Sequence, residues 1–484
     1  MPSQWSGSSQ GAALPTQGKA TRPIRPRRPG HPALDRRPPR LRPCAGPSLR
    51  LAPAREVLAI TLFEIASVLL VLAGLFGWLN TRWLKLAPSV GQLAISLAAS
   101  LGIMALHAVL PGAQIATVVR GFVASIDFNE TLMHGMLAFL LFAGALHADL
   151  ERVMQRRWTV VLLATLGLVL STLIVGGLSW ALFRLLQLPA SFLACLVFGA
   201  LISPTDPIAV MGALKTLQAP PRLEGKIAGE SLFNDGVAVV VFTALVALLP
   251  GPAGEHGHGA PVSAPAVAIF FVREALGGAA LGLVAGYLTY RLMRAIDEPK
   301  VETLLTLALV MGAYALAWRL HVSGPIAMVC AGLLMGNRGR RFAMSETVAD
   351  YLGKFWELID EILNAVLFLL IGIEVLVVAL DPKRVGAGTI LVAVVLLARL
   401  VSVWIPITIM SRFTDFMPGV VRILTWAGLR GGISVALALS LPPIAEKSLI
   451  LTCTYVVVLF SVLVQGATVD RMLNRMLKRL EDGS

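Results

Sequence analysis

The stretch Gly229-Glu230-Ser231-Leu232-Phe233-Asn234-Asp235-Gly236 lies inside the run IAGESLFNDGVAVVVFTALVALL, residues 227–249. That run is long enough to cross a hydrocarbon core of roughly 30 Å, yet it holds two carboxylates five residues apart. On a helix of about 100° per residue, Glu230 and Asn234 share one face while Ser231 and Asp235 share another. One acid can therefore face an aqueous cavity while the other reaches a structural partner.

Further apolar runs repeat along the chain, near 57–79, 89–110, 131–148, 159–186, 190–214, 267–290, 302–319, 324–336, 358–380, 386–410, 420–441 and 447–466. With 227–249 they predict an all-α polytopic membrane protein of about 13 transmembrane helices. Composition agrees: 56% of the 484 residues are hydrophobic and 14% charged, with a mean hydropathy of +0.77. Soluble domains carry roughly a quarter charged residues. The net charge of +13 looks like a nucleic-acid binder's until it is divided by region. Residues 1–50 hold nine Arg and one Lys against Asp35, and so supply +9. The remainder supplies +4, and no nucleic-acid partner is expected.

Residues 1–53 read as an Arg/Pro-rich disordered extension, with almost nothing to bury. Residues 54–470 form the transmembrane domain and 471–484 a short basic tail. Lys and Arg cluster in alternate loops, including Arg152, Arg156 and Arg157, then Arg338, Arg340 and Arg341, then Arg471 and Arg475. The positive-inside rule puts the C-terminus in the cytoplasm of a multi-pass cell-membrane protein. Walker A, dinucleotide glycine and HExxH patterns are missing, which argues against an enzyme or an ATP-driven pump and implies no cofactor. The four cysteines form no CxxC pair, and His256 and His258 read as part of a solvated loop, so no resident metal is expected.

Charges in apolar spans are costly and mark ion paths or fixed pairs. Seven stand out: Glu64, Asp206, Glu230, Asp235, Glu374, Arg399 and Arg430. Five acids against two bases suit a cation path. Asp206 sits in Ser203-Pro204-Thr205-Asp206-Pro207, where two prolines break the helix at mid-membrane. Arg430 sits in Gly428-Leu429-Arg430-Gly431-Gly432, in the opposite half of the chain. Paired interrupted helices predict an inverted-repeat transporter with its site at their crossing. Charge balance alone suggests a second pair, Glu374 with Arg399.

SPTDPIAV (203–210), GESLFNDGVAVVVF (229–242) and GLRGGISVALALSLP (428–442), in this order and spacing, resemble the monovalent cation:proton antiporter family, of the sodium/proton exchanger, bacterial NhaP-like type. Glu374 in FLLIGIEV and the run Leu137–Leu150 also fit. The resemblance covers about residues 57–470. It implies a core of crossed unwound helices, a separate dimerisation domain and a homodimer. It implies that Asp235 binds the ion and the proton, that Asn234 is the neutral neighbour of one-for-one exchangers, and that Thr205 and Asp206 belong to the crossing. It also implies a buried ion pair between Glu230 and Arg430.

A carboxylate at membrane depth loses hydration, which favours its neutral form. It can then hold a proton or a Na+ ion, with Thr205, Ser231 and freed carbonyls completing an oxygen cage. The expected function is exchange of Na+, or another monovalent cation, for H+, with no net charge moved. A K+/H+ antiporter on the same scaffold, a cation channel and a non-transporting membrane scaffold remain the alternatives.

Overall fold

The computed structural model describes residues 62–481 apart from 111–118, 120, 124–125, 127–130, 156, 208–209, 213, 215–220, 250–263, 379–380, 415 and 418. The Arg/Pro-rich extension and the His256–His258 loop lie outside the described residues. Ile60–Ser484 form one compact unit. Its helices are α1 Leu62–Leu79, α2 Pro88–Val109, α3 Leu137–His147, α4 Leu168–Leu185, α5 Phe192–Ile202, α6 Pro221–Val246, α7 Ala264–Met293 and α8 Pro299–Leu320. They continue with α9 Gly324–Leu334, α10 Glu346–Glu374, α11 Pro382–Met410, α12 Val420–Trp426, α13 Gly432–Leu439, α14 Lys447–Phe460 and α15 Ala467–Glu481.

Each of the thirteen apolar segments holds helix. Among the described residues, seven helical stretches are by themselves long and apolar enough to cross a membrane: Phe63–Leu84, Pro88–Val109, Arg157–Leu185, Gly229–Val246, Pro299–Leu320, Pro382–Met410 and Lys447–Met476. The rest are shorter, interrupted, charged at one end or described only in part. Large apolar side chains also face outward, among them Phe63, Val71, Leu185, Val284, Met311 and Trp318. In water such a surface would aggregate; in hydrocarbon it is the solvated face.

Local signals set the helix starts. Ser191, Ser323 and Ser345 cap α5, α9 and α10 by accepting from Ala194, Ile326 and Val348 N–H, and Asp381 caps α11 ahead of Pro382. Small residues bring helices close, as where Gly278, Gly282 and Gly286 of α7 lie against Ser323, Ala327 and Ala331 at α9. Lipid offers no hydrophobic force between helices, so close packing of this kind supplies the attraction.

The described part of the basic tail belongs to α15, which is continuous with α14 through a π-helical turn at Ser461–Gly466. Val469 and Leu473 are buried in the cluster that also holds Val210, Leu214, Ile227 and Ile423. Glu64 is exposed on α1, away from both helix breaks. The six other singled-out charges lie inside the bundle, close to the breaks or at the end of α10.

Candidate functional site

α5 ends at Ile202, and the chain runs unwound through Ser203–Pro207, because Pro204 and Pro207 supply no N–H to continue the ladder. α12 ends at Trp426 and α13 starts at Gly432, leaving Ala427–Gly431 unwound. The two breaks cross. Asp206 N–H donates to the Leu429 carbonyl at 2.8 Å, as an isolated antiparallel bridge. Gly431 and Gly432 permit the approach: a Cβ on the first would meet the Asp206 carboxylate, and on the second the Leu367 side chain.

The freed backbone groups are accounted for by named side chains. Arg430, 1% exposed, donates through Nη1 to the carbonyls of Ser203 (2.8 Å) and Pro204 (3.1 Å) at the end of α5. Its own N–H donates to Ser461 Oγ at 2.8 Å, and Ser461 in turn donates to Gln465 Oε1 at 2.8 Å. Gln465 Nε2 then donates to the Trp426 carbonyl at 3.2 Å, closing the end of α12. The π-helical turn at Ser461–Gly466 contains both braces. Gln465→Leu leaves the Trp426 carbonyl and the Ser461 hydroxyl short of partners. It is expected to cost about 1–3 kcal/mol, read as a lowered thermal midpoint of the purified protein.

α6 delivers its two faces as its periodicity predicts, but to different partners from those expected. Glu230 pairs with Arg399 of α11, Oε1 to Nη1, at 2.5 Å, with both side chains almost fully buried. Arg399 Nε also donates to the Leu424 carbonyl at 3.2 Å, where a cation suits the C-terminal end of α12. The expected Glu230–Arg430 and Glu374–Arg399 pairs are therefore corrected. Arg430 turns Nη1 to the carbonyls that the α5 break releases and reaches Glu230 only at longer range. Glu374 ends α10 beside Tyr455, with no ion pair among the described residues.

On the other face, Ser231 and Thr205 hydroxyls meet at 3.2 Å, both buried. That contact brings the first unwound segment against the helical turn holding Asp235. Asp235 is 7% exposed, and its Oδ1 has no hydrogen-bond partner. Asn234 Oδ1 is likewise buried without a partner, while its Nδ2 reaches the Ser203 carbonyl at a long 3.5 Å. Asp206 lies within electrostatic reach of Asp235. Thr205, Asp206, Ser231, Asn234 and Asp235 are thus brought together; Glu374 is not among them.

The result is a buried carboxylate with an unspent oxygen, beside hydroxyls and broken backbone, inside a helical membrane bundle. Unpartnered buried oxygens are costly, and a bound proton or hard cation relieves the cost. Such an arrangement defines a carrier of small cations. The transmembrane family model described as "Sodium/hydrogen exchanger" matches residues 65–475. The Na(+)/H(+) antiporter NhaP of Pseudomonas aeruginosa is 47% identical over 419 residues, covering 86% of this chain and 97% of its own length. The Na(+)/H(+) antiporter NhaH of Halobacillus dabanensis is 34% identical over 354 residues, covering 72% of this chain and 84% of its own. In fold, the sodium proton antiporter MjNhaP1 from Methanocaldococcus jannaschii superposes with a TM-score of 0.66 at 18% identity, over 87% of this chain and 99% of that one. This chain belongs to the sodium/hydrogen exchanger family.

Proposed function

We propose that this chain exchanges Na+ for H+ across a cell membrane, one for one, at a single site centred on Asp235. The observation that carries the reading is the unpartnered, buried Asp235 Oδ1 at the turn where Thr205 and Ser231 meet. With a proton the carboxyl is neutral; without one it binds Na+, with the Thr205 and Ser231 hydroxyls and nearby freed carbonyls as further oxygen ligands. The two occupants exclude each other, so a gradient of either ion drives the other. The relatives' names support Na+ over the K+ alternative.

Asn234 sets the charge count. It cannot ionise, so each cycle carries one positive charge in each direction. Arg399 and Glu230 neutralise each other and hold α6 to α11 and α12, while Arg430 and Asp206 tie the two breaks together. Access alternates as the crossing core moves against the rest of the bundle in a homodimer, with the C-terminus in the cytoplasm.

The test is the response to membrane voltage. Exchange by the reconstituted protein is expected to be insensitive to a potassium diffusion potential. Asn234→Asp adds a second ionisable group and is expected to make exchange voltage-sensitive. Voltage-dependent exchange by the unaltered chain would contradict the one-for-one reading.

A further inference from the structure

We propose that Asp360 and Asn364 of α10 form a staging site for the transported cation, between the Arg-rich end of the bundle and Asp235. The proposal rests on Asp235 being the exchange site, and its test separates the two.

Asp360, Asn364 and Leu367 stand at i, i+4 and i+7 of α10, on one face of the helix. That face is turned to the crossing, because the Leu367 side chain lies against Gly432, the first residue of α13. A different face of α10 packs on α2, where the Phe368 and Gly372 carbonyls accept from Ser96 and Ser100 hydroxyls. Asp360 is about 10 Å along the helix from Leu367 at 1.5 Å per residue. The direction is toward the helix start, just beyond Arg338, Arg340 and Arg341. It therefore stands between that end and the exchange site.

Two observations make this a binding position and not merely an acid in a groove. Asn364 is 6% exposed, and neither its amide oxygen nor its amide nitrogen has a partner. Its amide is in weak contact with the Asp360 carboxylate one turn away, which leaves the amide oxygen unspent. Asp360 itself is half-buried and forms no ion pair among the described residues. The charged and titratable groups facing it are Asp206, His147 and Glu361. Asp206 lies within electrostatic reach of both Asp360 and Asp235.

A cation between Asp360 and Asn364 Oδ1 satisfies both the unpaired carboxylate and the orphaned amide oxygen, with oxygen ligands of the type Na+ prefers. Focused negative charge in a low-dielectric cleft raises the local cation concentration and its arrival rate. Asp360 is a positioning residue: it loads Asp235 and takes no part in the exchange itself.

Proteoliposomes carrying the full chain, Asp360→Asn, Asp360→Glu, Asn364→Leu or Asp235→Asn test this with Na+ as the probe. Asp360→Asn and Asn364→Leu are expected to raise the apparent KM for Na+ about tenfold, with maximal velocity largely kept. Asp360→Glu should recover the low KM. In the unaltered chain, KM should rise with the concentration of a non-transported salt, through screening. An unchanged KM in Asp360→Asn, or a fall in velocity alone, overturns the staging site. Where Asp360→Asn does not fold, the salt dependence decides: a KM indifferent to ionic strength overturns the proposal. Full activity of Asp235→Asn would instead remove the exchange site on which the staging site rests.

Discussion

Asp235→Asn is expected to reduce Na+-dependent proton movement to background while leaving the protein folded. The substitution keeps size and hydrogen-bonding capacity but removes the ionisable carboxylate beside Ser231 and Thr205. Asp235 Oδ1 has no partner to lose, so no protein contact is left stranded and stability should change little. Asp235→Ala should be equally inactive. The measurement is dequenching of a pH dye in everted vesicles on addition of Na+, alongside the thermal midpoint of each variant. A stable, inactive Asp235→Asn protein separates a role in exchange from a role in folding.

The second large effect falls on Arg399. Removing it takes away the one cation in ion-pair contact with the buried Glu230 among the described residues, leaving only Arg430 at longer range, and it also abandons the Leu424 carbonyl. Breaking a buried pair in this way costs about 3–5 kcal/mol, so Arg399→Ala should express poorly and unfold at a much lower temperature. Arg430→Ala is expected to be milder in stability, about 1–3 kcal/mol, because it removes donors from two carbonyls while Glu230 keeps its contact partner Arg399. The double substitution Glu230→Leu with Arg399→Met should recover much of the stability lost in Arg399→Ala, since an apolar pair of similar volume replaces two charges. Equal damage from Arg399→Ala and Arg430→Ala, with no recovery in the double variant, would count against the Glu230–Arg399 pairing.

These two residues show where the sequence is legible and where it is not. Proline at 204 and 207 and glycine at 428, 431 and 432 announce both helix breaks, because those residue types act on the backbone directly. Helical periodicity likewise separates the Glu230 face from the Asp235 face. Partner choice across the bundle is a different matter. Two mid-span arginines and several acids permit more than one pairing, and charge balance does not rank them. What ranks them is three-dimensional: the α5 break exposes carbonyls, Arg430 in the opposing break lies beside them, and Arg399 is left for Glu230.

The braces Ser461 and Gln465 escape notice for a related reason. Each is one polar residue in an apolar run, SVLVQG, with nothing in the run to say that it faces broken backbone. Their four-residue spacing is the one available signal. Asp360 and Asn364 are hidden by a boundary: the apolar segment starts near 358, whereas α10 begins at Glu346. Acids near the edge of an apolar run read as interfacial, although helix length and the Leu367 contact turn them inward.

On the proposed mechanism a proton and Na+ compete for one carboxylate. Its most direct test is proton release from the purified protein in weakly buffered detergent solution when Na+ is added. The unaltered chain is predicted to release one proton per protomer, saturably, and Asp235→Asn to release none. Undiminished Na+-induced release from Asp235→Asn would place the shared site elsewhere and rule out Asp235 as the exchanging carboxylate.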